Sequence, residues 1–142
     1  MRTVQLLFIL LGVAGLAYWF TMGGDSQVAQ VPAEPTSAIV EITIPETLSD
    51  NARVGKVAFE AKCSVCHGAD AVGHTDVAPP LVHKIYEPSH HADESFQRAV
   101  SLGVRQHHWP FGNMPPVEGL TRGDVTMIIA YVRELQRANG IN

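Results

Sequence analysis

Outside Cys63 and Cys66 the chain of 142 residues contains no cysteine. A zinc finger built on that pair needs a second ligand pair spaced His-x₃₋₅-His, and the histidine gaps 67 to 74, 74 to 83 and 83 to 90 do not supply one. A disulfide between the two thiols is allowed outside the cytoplasm, but it explains neither their tight spacing nor the histidine that follows. A strand pattern is also missing ahead of the pair. "NARVGKVAFEAK" carries its apolar residues at helical spacing, which argues against the βαβ setting of a thioredoxin-like redox motif. Basic charge is in short supply: Lys+Arg 10 against Asp+Glu 14 leaves a net charge of −4, with near balance beyond Glu46. No clustered basic face follows from that, so nucleic acid is not an expected partner. Internal repeats and low-complexity blocks are absent as well.

The chain does have one long apolar run. Residues 4–22, "VQLLFILLGVAGLAYWFTM", carry no charge and are long enough to cross a hydrocarbon layer about 30 Å thick as a helix. Signal h-regions are shorter, about 7–15 residues, and end in a small-residue cleavage site that is not evident here. An uncleaved anchor is therefore favoured over a signal sequence, with a buried core helix as the third reading. Arg2 before the run and Asp25 after it put Met1 in the cytoplasm and everything beyond Gly24 outside. Residues 23–49 are rich in Gly, Pro, Ser and Thr and read as a flexible linker of about 30 Å root-mean-square span. Within it "AIVEITI" alternates weakly and suits an extended strip laid on the domain or on a partner.

What remains is "CSVCH" at 63–67, which consumes both thiols. Cys-x-x-Cys-His is the attachment signature of a c-type haem: the thiols add across the two vinyl groups, and the next histidine turns its ring under the iron. One helical turn presents both sulfurs to one porphyrin edge. Cys63 and Cys66 are thus expected to bind the cofactor, one covalent haem, and His67 to ligate its iron.

From about residue 50 to 140 the chain resembles class I c-type cytochromes. Gly55 and Phe59 precede Cys63 by eight and four residues, and Ile128 and Tyr131 share one face of "DVTMIIAYVRELQRA". The resemblance implies that these positions interlock where the first and last helices cross. "APPLVH" resembles the family's Gly-Pro-x-Leu segment, with Ala78 in place of the usual glycine, and implies that Pro79 offers its carbonyl to the Nδ1 proton of His67. The family closes the distal iron position with a methionine from a loop before the last helix. Met114 in "FGNMPPV" has that place, whereas Met1 and Met22 belong to the apolar run and Met127 to the last helix. His107 and His108, six and seven residues earlier, compete for the same iron face. Arg105 and Trp109 are candidate donors to the haem propionates.

The resemblance implies an all-α fold, three to five short helices around one haem over residues 50–142, and one-electron transfer without transformation of a substrate. With the anchor of residues 1–22, the expected place is the outer face of a bacterial cytoplasmic membrane, and the expected partners are redox proteins. A fixed subunit of a membrane oxidoreductase and a haem enzyme or sensor with an open sixth site are the alternatives. "ADESFQRAVSLGV" reads as a helix with Phe96, Ala99 and Val100 on one face. Six histidines, His74, His83, His90, His91, His107 and His108, are left over. A surface or haem-edge role is the expectation for them; the alternative is a second metal site, for instance copper or zinc, drawing on His90 or His91 together with His107 or His108.

Overall fold

Helix caps written in the sequence set the boundaries of the fold. The computed structural model describes residues 37–142, in which the order is α1 (Asp50–Lys62), α2 (Ser64–His67), a 3₁₀ turn (Ala69–Ala71), a second (Lys84–Tyr86), α3 (Asp93–Leu102) and α4 (Arg122–Ala138). These residues contain no strand, only isolated bridges at His74–Ala78 and Val104–Met114, in keeping with the expected all-α class. Among them no helix is long and apolar enough to cross a membrane. The expected anchor at 4–22 lies outside the described residues.

Ser49 starts α1 by accepting from the Ala52 amide, and Asp50 and Lys62 sit at the ends that suit their charges. Thr121 and Asp124 start α4 with a reciprocal capping box, each side chain accepting from the other's backbone amide. The two helices cross at Gly55, where a Cβ would run into the Met127 carbonyl. Close approach lets Phe59 meet Tyr131 edge to face at 5.7 Å, over a core completed by Ala52, Ile128, Val132 and Leu135. The crossing implied by the family resemblance is thus in place.

Two connections complete the frame: the first corrects the expectation of a flexible linker for residues 37–49 and favours the strip laid on the domain, and the second has no signal in the sequence spacing. Residues 37–49 lie along the domain rather than apart from it. Ile39 and Val40 donate to the Val72 carbonyl, Ser37 accepts from Thr75, and the Asn139 side chain clamps Thr43 through bonds of 2.7 and 2.8 Å. The folded unit therefore extends N-terminal of Asp50, and Ile42 and Leu48 pack against its core. Arg133, buried in α4, donates to Asp93, to the carbonyls of Tyr86 and His91, and to Gln136, with Phe96 under its guanidinium at 4.9 Å. It joins α4 to α3 and to the segment between the 3₁₀ turn and α3. The face expected of α3 is half-buried at Phe96, Ala99 and Val100, but the side chain it buries most is Gln97, which donates to the Arg122 carbonyl and Thr126.

Candidate functional site: the haem attachment loop

α1 stops where its chemistry begins. The Cys63 amide still donates to Phe59, and the Cys63 carbonyl then accepts from both Cys66 and His67, so α2 is a single turn started by the first thiol. Both cysteines are free, Cys63 half-buried and Cys66 exposed. Burial, reinforced by the neighbouring Cys66 sulfur, pushes the Cys63 thiol up to about 11. At neutral pH it therefore rests protonated and is a poor metal ligand by itself.

His67 is oriented by two loops. Its Nδ1 lies 2.8 Å from the Pro79 carbonyl, an acceptor only, so Nδ1 carries the proton and donates. Nε2 keeps its lone pair. Burial pushes the imidazole below its ordinary range, with the Pro79 bond acting partly against that, so neutral imidazole is the favoured form at pH 7. The His67 carbonyl accepts from Gly73 at 2.7 Å, and His74 pairs with Ala78 one residue before Pro79. Alanine at 78, where the family has glycine, is buried and accommodated.

Met114 stands on a different segment. Gly103 ends α3 at φ 74, and a Cβ there would come within 2.5 Å of the Met114 carbonyl. That closeness lets Val104 and Met114 exchange both backbone bonds, at 2.9 and 3.0 Å. Between them Gln106 and Asn113 brace the loop, Asn113 accepting from the Gln106 amide and Gln106 from the Gly112 amide. The Met114 side chain is half-buried, whereas His107 and His108 are exposed and stand among His90 and His91. Cys63, Cys66, His67 and Pro79 are therefore brought to one locus, with Met114 held on the segment after α3.

Trp109 shows how well these residues fit a haem. Its Nε1 is buried beside the Tyr86 hydroxyl, which interacts with it, yet it makes no hydrogen bond of good geometry, alone in this among the buried side-chain polar atoms of the described residues. A buried donor so poorly satisfied suits a stronger acceptor, and a propionate carboxylate is one. Two free thiols on one turn, a neutral imidazole with Nε2 available and a thioether complete a donor set suited to a covalent haem.

Two supporting groups had no signal in the sequence. Asp70, at φ 51, turns its carboxylate back to accept from Tyr131 at 2.6 Å, with Lys56 at 3.4 Å. Arg133 looks like one more charge on a helix, and only its burial gives it away. The family model described as Cytochrome c matches residues 52–136. No curated protein matches the chain at a significant level.

Proposed function

The chain belongs to the cytochrome c family, which carries a covalently bound c-type haem, and from that premise we propose that it is a one-electron carrier at the outer face of a bacterial cytoplasmic membrane, in a respiratory or related redox chain. The haem supplies an Fe(II)/Fe(III) couple. Everything else is done by the chain. Cys63 and Cys66 would tether the group and His67 would present Nε2 to the iron, while Pro79 keeps that ring in one tautomer and orientation. Met114 would offer the iron a soft thioether, which favours Fe(II) and raises the potential. A site whose ligands are held from both sides reorganises little on gaining or losing an electron.

The observation that carries this reading is the His67–Pro79 bond, which leaves a neutral imidazole with one free nitrogen on the same turn as both thiols. The anchor rests on the uncharged run at 4–22 and on the placement of Arg2 and Asp25. An extended strip awaiting a larger complex is not needed to account for "AIVEITI", whose backbone bonds go to its own domain. Oxidised protein is expected to show the weak near-infrared charge-transfer band of Fe(III)–thioether coordination, and Met114→Ala to abolish it. An unchanged spectrum and potential in that variant, or prompt carbon monoxide binding by the reduced wild type at neutral pH, would favour the open-site reading.

A further inference from the structure

The histidines that the haem does not need converge. His90 and His91 come from the turn at 87–91, and His108 from the loop between Val104 and Met114, 18 residues beyond His90. One ring nitrogen of each lies within 4.8 Å of the other two. Their ring centroids form a near-regular triangle, with His90–His91 at 4.7 Å and both contacts to His108 at 5.2 Å.

We infer that His90, His91 and His108 form a binding site for one divalent transition ion, zinc or copper, separate from the haem attachment loop. The inference rests on the histidines alone, so it stands or falls apart from the electron-transfer reading.

Three observations support it. His90 Nε2 and His108 Nε2 face each other at 3.3 Å. Two nitrogens bound tetrahedrally at about 2.0–2.1 Å from zinc lie about 3.3–3.4 Å apart, so the donors already stand at the separation an ion requires. A single imidazole–imidazole hydrogen bond also accounts for that one distance, but not for a third donor nitrogen converging on the pair. Second, His91 is oriented as a metal-ligating histidine is. Its Nδ1 donates to the Ile85 carbonyl at 2.7 Å, leaving the Nε2 lone pair free, and its own carbonyl is held by buried Arg133 at 2.5 Å. Third, the donor set contains no carboxylate, which disfavours calcium and magnesium and suits zinc or copper. His107 stands beside the trio, its ring stacked on that of His91 at 6.0 Å and its Nδ1 donating to Arg105.

The ion would pin the turn at 87–91 to the loop whose far end is Met114. A bound ion therefore restrains the segment that carries the sixth ligand.

The test uses the full haem-bearing chain, made without a polyhistidine tag, stripped with chelator and titrated separately with zinc chloride and copper sulfate by calorimetry. One equivalent should be taken up, and Cu(II) resonance should show nitrogen superhyperfine coupling. Loss of an outer-shell partner typically weakens metal binding about 10–100-fold, so His90→Ala and His108→Ala should each cost at least about tenfold. The double variant should take up no stoichiometric ion, and His74→Ala should bind as wild type does. Because His90 and His108 are exposed, an unchanged haem spectrum checks that these variants are folded. Absence of uptake by the wild type, or equal affinity and stoichiometry in the double variant, overturns the site.

Discussion

Tyr131 shows what a single hydroxyl contributes. Its ring fills the α1–α4 crossing and its oxygen donates to Asp70, a residue whose backbone is turned into the left-handed region just after the haem motif. Burial, and then the Asp70 carboxylate, raise the hydroxyl above its ordinary 10.0. The folded state thus favours the neutral phenol, and the associated stability is present below pH 10 and lost as pH rises above it. Tyr131→Phe should cost about 1.5–3 kcal/mol at pH 7, the range for a hydrogen bond to a charged group. The variant should also lose less stability than the wild type between pH 9 and 11. Urea unfolding at several pH values measures both, and parallel alkaline losses in the two proteins would remove Tyr131 from the account.

At the scale of elements, the decisive contact is helix against helix. Gly55 is on α1 with ordinary helical backbone, so its value lies in what it lacks: a methyl group there meets the Met127 carbonyl and the Ile128 amide. Backbone cannot yield as a side-chain tip does, so Gly55→Ala should separate α1 from α4. The expected cost is at the upper end of about 1–3 kcal/mol, the range for overpacking, offset by at most about 1 kcal/mol of gained helix propensity. A lowered urea midpoint with the slope preserved is the expected result. A midpoint equal to wild type would mean that the helices can part at no cost. α2 shows the opposite dependence: one turn is too short to persist alone, and it is held by α1 before it and by the His67 bonds to Pro79 and Gly73 after it.

Over the whole of the described residues 37–142, the domain is closed by contacts between its distant parts. Asn139, just past α4, makes two bonds to the backbone of Thr43 across 96 residues, and through them the strip at 38–44 becomes part of the domain. Asn139→Ala should leave the haem spectrum intact while lowering amide-exchange protection at Thr43 and, beyond it, at Ile39 and Val40. It should also speed proteolysis within 38–48. Protection unchanged at all three amides would show that the Val72 carbonyl and the burial of Ile42 hold the strip without the clamp.

How far the chain could be read from its sequence follows from the range of the forces involved. The cofactor was legible in "CSVCH" because thiols and imidazole must share one turn, and one turn is local. The helical spacing of "NARVGKVAFEAK" and "DVTMIIAYVRELQRA" was legible for the same reason, whereas the caps at Ser49 and Thr121 show only in the structure. The partners of Gly55 and Phe59 came from a family resemblance, since periodicity shows only that a face is apolar. What no local pattern contains is where loops meet. The sequence left His107 and His108 competing with Met114 for one iron face, and adjacent histidines were not expected to share an ion. The tertiary structure carries both toward the turn at 87–91 and leaves His90 and His91 in one cluster with His108. Asp70 against Tyr131, Arg133 against His91 and Asn139 against Thr43 were likewise decided only there, since each depends on turn dihedrals accumulated over 61, 42 and 96 residues. The local motif at 63–67 determined what this chain binds covalently, because its ligands share one turn; the packing of α4 under its loops decided which side chains are neighbours.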